Sequence, residues 1–320
     1  LDGGSTWEDI QPNYVHVDQH EMVISHHNQD LYVCNDGGLY HYSENQNWVD
    51  ISKGIVTGQI YQLGQSPHNP NHTLTGYQDN GTMEFDGVYW RRRGGGDGFE
   101  CAYDHTTPDW RYGSIYYGDT YRTTPEVVNE KIAGLDVLGI DEEGAWNTPY
   151  FISRADSTAN TMFIGLKNVW RSTNIKEANK DDIIWEKISN NLSSNTANLV
   201  ELEQCISNKN ILYASKDNRK LFRTNNALSD SVIWTNLSLN LPVAQVTVNA
   251  IETSPLDSNL LWIGYNKNVY RSSNQGSSWT NITLNFPDIV INSVVMDTTN
   301  AGAEALYIGT DMGVYYKDTT

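Results

Sequence analysis

Short apolar runs alternate with polar turns along the whole chain, and no segment keeps a 3.6-residue apolar spacing over the length of a helix. Five segments share one pattern: LYVCNDGGLYHYS, MFIGLKNVWRST, ILYASKDNRKLFRT, LLWIGYNKNVYRSS and LYIGTDMGVYYKD. Each reads as an apolar strand, an Asn/Asp/Gly turn and a second strand carrying an aromatic, which is a hairpin. A further short strand precedes several of them and ends in a turn such as Ser66-Pro67-His68-Asn69 or Ser254-Pro255-Leu256-Asp257. A fourth strand carrying Trp follows. Four strands per repeat without a helix predict the blade of a β-propeller.

Trp7, Trp48, Trp90, Trp146, Trp185, Trp234 and Trp279 follow one another at steps of 41, 42, 56, 39, 49 and 45 residues. The period predicts an all-β, seven-bladed β-propeller with four antiparallel strands per blade. The expected blades are 15–58, 59–97, 98–148, 149–197, 198–244, 245–288 and 289–320. The last repeat stops before any Trp strand, whereas the chain opens with one. Residues 1–14 are therefore expected to close the last blade and remove an open sheet edge.

Charge narrows the partners. Lys and Arg number 21 against 39 Asp and Glu, a formal charge of −18 over 320 residues. Such a chain repels phosphate backbones and anionic bilayers, so nucleic acid is not an expected partner. No apolar run approaches the roughly 20 residues that span a bilayer, so membrane insertion is not expected either. The chain begins at Leu1 without a signal peptide, and a mature or excised piece with other domains in the parent chain is expected. Cys34, Cys101 and Cys205 cannot all pair and match no zinc spacing.

Asp2-x-Gly4-x-x-Trp7 and Ser272-x-Asn274-x-Gly276-x-x-Trp279 resemble the Asp-box, S-x-D-x-G-x-x-W. There a short side chain caps turn amides, Gly takes a positive φ, and Trp packs across the turn. With HVDQHE, NDGGLYHYS, GYQDNGT and GGGDGFECAYD, these segments make the chain resemble the secreted bacterial Asp-box (BNR-type) repeat propellers, related to sortilin-type domains and two-propeller xyloglucanases. The resemblance implies a secreted or cell-surface propeller with a carbohydrate or protein ligand. It leaves the activity open, because one scaffold serves hydrolases, adhesins, receptors and assembly factors.

In a four-stranded blade, the loop leading into the first strand and the turn between strands two and three share one face, here called the upper face. It collects Asp36, Asp79 and Asp311 from turns, and HVDQHE and RRRGGGDGFE from linking segments. His16, Asp18 and His20 alternate, so on a strand they point one way and offer a divalent-cation site; the competing reading is a polar lining of the axis. No cofactor is required by any motif. Arg91, Arg93, Asp97, Glu100 and Asp311 are the expected ligand contacts, with an ion-pair network of Arg with Asp79, Asp97 and Glu100 as the structural alternative. A glycoside hydrolase would use Asp36 with Asp79 or Asp97 as its paired carboxylates. Asp36 looks like the turn carboxylate of the xyloglucanases, in a turn one residue shorter than theirs. The expected function is an extracellular binding or adhesion module acting through blades one to three, with a hydrolase and a scaffold of a surface or secretion assembly as rivals.

Overall fold

The structure, a computed structural model, describes residues 3–43, 47–55, 58–190, 192, 196–242 and 246–318. It forms seven antiparallel sheets, each a meander in chain order. The first runs Gln19–Ile24, Leu31–Asn35, Gly38–Tyr42 and Trp48–Asp50, and the second Ile60–Gln65, Thr73–Tyr77, Gly81–Phe85 and Trp90–Arg92. Cys101–Tyr103, Arg111–Ser114, Thr120–Thr123 and Glu130–Ala133 make the third; Tyr150–Ile152, Met162–Gly165, Val169–Ser172 and Glu186–Lys187 the fourth. The fifth holds Leu199–Gln204, Leu212–Lys216, Lys220–Thr224 and Trp234–Asn236, and the sixth Ala250–Thr253, Leu261–Tyr265, Asn268–Ser272 and Thr280–Asn281. The seventh has three strands, Ile291–Met296, Leu306–Thr310 and Gly313–Lys317.

The first strands of the second and third, the fifth and sixth, and the sixth and seventh sheets lie against one another, which places the first strands on the inner ring and the fourth strands outside. Middle strands such as Met162–Gly165 and Leu261–Tyr265 are buried on both faces, because the fourth and sixth sheets are each sandwiched between two others. That is why they read as apolar runs rather than alternating ones. The core is accordingly a series of joints. Ile132, Ile164 and Trp170 help to seal the third against the fourth sheet; Phe163, Leu199 and Phe222 seal the fourth against the fifth. Tyr213, Ile251 and Ile263 serve the next joint, and Trp262, Ile291 and Ile308 the last. Between the second and third sheets the buried cluster shrinks to Leu74, Cys101 and Tyr103.

Outer tryptophans brace these joints. Trp185 Nε1 donates to Ile132 O at 2.8 Å and Trp234 Nε1 to Ile188 O at 2.9 Å, each reaching the outer segment of the preceding sheet. Trp146 does not belong to this series. The outer strand of the third sheet is Glu130–Ala133, and Trp146 lies beyond it in the linking loop.

The expected closing strand is not formed among the described residues. Nothing in 3–18 is strand, Trp7 is 91% exposed, and the seventh sheet ends at Gly313–Lys317 with Val314 open to solvent. Trp48 Nε1 nevertheless donates to Ile10 O at 2.7 Å, the contact an outer tryptophan makes with the sheet before it. Residues around Ile10 thus stand where a preceding outer strand would, without pairing to one. The physical reason is that no apolar cluster joins the seventh and first sheets among the described residues. Met22, Val23 and Ile24 are each more than half exposed, so a short segment has nothing to bury against there.

The turn at Ser272–Trp279 is built as its residue types dictate. Asn274 Oδ1 accepts from Ser278 N at 2.8 Å, Ser272 Oγ accepts from Gly276 N at 2.9 Å, and Gly276 takes φ +80° beneath the Trp279 ring. Gly4, at φ +85°, sits under Trp7 in the same way, while Asp2 lies outside the described residues.

Candidate functional site

Where apolar packing thins, charge takes over. Glu84, on the third strand of the second sheet, is 4% exposed and receives Arg93 Nε at 2.5 Å, Arg111 Nη1 at 3.4 Å and the Tyr103 hydroxyl at 2.9 Å. Arg111 and Tyr103 belong to the third sheet, so one carboxylate ties the two sheets together. Two guanidinium groups against one carboxylate leave an excess positive charge at this joint. Arg92, exposed, donates to Gly94 O and makes no ion pair among the described residues. The linking segment that follows packs its backbone onto the second sheet's hairpin turn: a Cβ on Gly98 would collide with the Gly81 carbonyl, so only glycine allows this approach.

Beside the network opens a cleft of about 300 Å³, lined by Arg93, Gly94, Gly95, Gly96, Arg111, Tyr116, Tyr121 and Asn129 among others. Arg111 Nε is buried there without a hydrogen-bond partner among the described residues. Asn129 Nδ2 donates to Arg93 O at 2.8 Å and fixes the segment at the cleft wall.

An aromatic group continues from the cleft across the upper face. Tyr116 stacks on Trp146 with ring centroids 5.3 Å apart at 21°, and Tyr117 meets the same indole edge-on at 5.3 Å and 79°. Phe99, fully buried, supports Trp146 from below at 5.8 Å and contacts Tyr61 in turn. Backbone bonds from Tyr117 N to Trp146 O (3.3 Å) and from Gly144 N to Tyr117 O (3.0 Å) join the two loops that carry the rings. Tyr117 adopts φ 63°, a left-handed conformation unfavourable for a bulky residue and held here by those bonds.

The predicted carboxylates gather at the neighbouring corner, between the first and second sheets. Asp36 pairs with His20, whose pKa is raised chiefly by that hydrogen bond. Asp79 takes φ +62°, and its amide donates to Asp97 Oδ1 at 2.7 Å. Burial raises the Asp79 pKa, as do the charges of Asp36 and Asp97 and a hydrogen bond between the Asp79 and Asp97 carboxyls.

His16, Asp18 and His20 do not form the expected metal set. The strand begins at Gln19, and Asp18 has φ 63°, which breaks the alternation. His16 Nδ1 faces Val17 O at 2.9 Å and Nε2 faces Asp79 O at 2.8 Å. An imidazole between two carbonyls must donate from both nitrogens and has no lone pair for a metal. Burial opposes that charged form, but the two carbonyls, with Asp36 and Asp18, outweigh it and raise the His16 pKa. Among the described residues no group of three His, Cys, Asp or Glu is placed to hold a metal ion.

The other predicted contacts separate. Arg91 turns to Asp86 at 2.9 Å; two turn amides and Arg91 lower the Asp86 pKa to about 2. Asp311 accepts from Asn292 in the seventh sheet's exposed turn. Glu100 leaves the arginines for the inner ring, where Glu201, Glu203 and Glu252 also face. The expected network of Arg with Asp79, Asp97 and Glu100 is thus replaced by one centred on Glu84. Sequence reasoning missed Glu84, Arg111, Tyr116 and Tyr117. It had one usable signal for Trp146: the step of 56 followed by 39 that sets this tryptophan off its period.

No protein-family model matches the chain, and no curated protein is similar to it in sequence. Solved structures share its fold. The GH74 enzyme of Niastella koreensis aligns with a TM-score of 0.58 at 13% identity over 93% of this chain and 52% of its own. PorZ of Porphyromonas gingivalis, a bacterial surface component of the type-IX secretion system, aligns at 0.58 and 16% over 97% and 48%. The β-propeller domain of Cps50 (Swd1) from Myceliophteria thermophila aligns at 0.58 and 11% over 93% and 96%. The chain therefore has a β-propeller architecture whose seven sheets correspond to seven blades, and it spans about half the length of the first and second of these structures. No helix among the described residues is long and apolar enough to cross a membrane.

Proposed function

We propose that this protein is a binding module of a secreted or surface-exposed protein, and that its ligand, a carbohydrate or a protein, occupies the cleft between the second and third blades. One observation carries the reading: in a chain of charge −18, the cleft concentrates Arg93 and Arg111 on a single buried carboxylate beside exposed aromatic rings. A structural tie would need no opening. Solvent-open space with convergent polar groups is the usual form of a ligand site.

Hydrolysis fits less well. Glycoside cleavage needs two carboxyl groups held roughly 5 to 10 Å apart across the scissile bond. Here Asp79 and Asp97 are in direct hydrogen-bond contact and Asp36 is engaged by His20. A docking role in a surface assembly differs only in the size of the ligand.

The test is a glycan array and a surface-protein panel probed with the wild type and with Arg93→Gln, alongside an assay for new reducing ends. Binding lost in Arg93→Gln, without cleavage by either protein, supports the reading. Cleavage abolished by Asp97→Asn supports hydrolysis instead, and wild-type binding untouched by Arg93→Gln refutes the cleft.

A further inference from the structure

The rings beside the cleft define its ligand more narrowly, an inference that rests on the binding role proposed above. Trp146 is the tryptophan that left the repeat. Trp185 is 7% exposed and braces a joint, whereas Trp146 is 44% exposed on a loop of the upper face, with Tyr117 beside it at 43%. Both loops are clamped by backbone bonds and Tyr117 is held in a disfavoured conformation, so the rings are fixed before any ligand arrives. A rigid, exposed, flat aromatic surface with polar edges complements the C–H face of a pyranose ring, which stacks on it and keeps its hydroxyls in water. Tyr116 belongs to this stack and also lines the cleft with Arg93 and Arg111, so a sugar on the rings has guanidinium groups as neighbours. Guanidinium recognises carboxylate with two parallel N–H donors.

We infer that the site takes an acidic glycan, with a uronic-acid ring lying against the exposed side of the Tyr116–Trp146 stack and its carboxylate directed to Arg93 and Arg111. The charge asymmetry agrees: an acidic polymer is repelled by most of this surface and admitted where the arginines outnumber Glu84.

Calorimetric titration of the full chain with oligogalacturonate, with oligoglucuronate and with the methyl ester of each tests this, because the ester keeps the ring and removes the charge. At least one acid is expected to bind about tenfold or more tightly than its ester. Trp146→Ala should weaken the acid about tenfold, and Trp146→Phe, which keeps an aromatic ring against Phe99, Tyr116 and Tyr117, should weaken it less. Arg93→Gln should erase the preference for acid over ester, and Arg93→Lys should retain part of it. The inference is overturned by equal binding of acid and ester, by Trp146→Ala binding as the wild type does, or by a sulfated neutral oligosaccharide outcompeting both acids. If no oligosaccharide binds while a protein ligand is lost in Arg93→Gln, the acidic-glycan inference fails and the cleft reading survives. If no ligand responds to Arg93→Gln, both fail.

Discussion

Replacing Glu203 by glutamine should flatten the dependence of stability on pH. Glu201 and Glu203 lie two residues apart on the inner strand Leu199–Gln204 and so share a face. Glu252 is on the inner strand of the sixth sheet, and Glu100 just precedes that of the third. Few groups answer these carboxyls: Thr253 Oγ1 donates to Glu203 at 2.9 Å, Met296 N to Glu252 at 3.1 Å, Gln62 bonds Glu100, and Arg154 is the cation in reach of Glu203 and Glu252. Burial, and then for Glu201 and Glu203 the neighbouring carboxylates, raise the pKa: to about 8 for Glu100 and Glu203, to about 7 for Glu252, and well upward for Glu201.

Unfolded, each titrates near 4.5, so between that value and the raised one the native state holds protons that the unfolded chain has released. Stability therefore falls as pH rises through this window and levels off above it. For Glu203 alone the rise corresponds to at most about 5 kcal/mol. Glu203 is half-buried rather than sealed from solvent, and screening reduces this to about 2 kcal/mol. Glutamine is neutral throughout, and it also relieves Glu201, whose pKa Glu203 raises. Urea unfolding in buffers from about pH 5 to pH 9 should show the wild type losing stability and Glu203→Gln losing about 2 kcal/mol less. Parallel stability curves for the two proteins would refute the reasoning.

Removing the buried tie should be costly: Glu84→Ala leaves Arg93 and Arg111 facing each other at the joint and is expected to lose about 3–5 kcal/mol in urea unfolding. Trp185→Ala deletes a buried brace and should lose about 3–5 kcal/mol by the same measurement. Trp7→Ala should stay within about 0.5 kcal/mol of wild type, as for an exposed site; a loss near that of Trp185→Ala would show that the first segment does close the seventh blade.

The blade pattern was legible because each hairpin joins an apolar run to an Asn/Asp/Gly turn, and both signals are local. The corner of Asp36, Asp79 and Asp97 was legible for a topological reason: in a meander, linking loops and the turns between strands two and three must share a face. What failed was non-local. The partner of Arg93 is set by strand pairing, which aligns Glu84 with Arg91 across the outer hairpin and leaves Arg93 to reach back to the carboxylate. Arg111, 27 residues from Glu84, arrives on another sheet and carries no pattern of its own. His16, Asp18 and His20 misled because alternation assumes a strand, and the φ of Asp18 ends that assumption before the strand begins.

The cleft sits where the repeat departs from itself, and the physics of the joints gives a reason. Four joints are sealed by clusters of buried apolar side chains, which fill space, although a cavity of about 460 Å³ borders the sixth-to-seventh joint at Ile282, Phe286 and Tyr315, without an arginine in its lining. The second-to-third joint has three buried apolar residues and a carboxylate shared by two arginines. As a means of stabilisation this is inferior, since apolar residues of similar volume often hold such a position as well or better once desolvation is counted. It differs in keeping polar groups oriented and a cavity open at the same place. The tryptophan that leaves its period lies on the same face, stacked on a tyrosine that lines that cavity. Two departures from the repeat, one electrostatic and one aromatic, converge on one opening, whereas blade stability alone would favour more of the repeat.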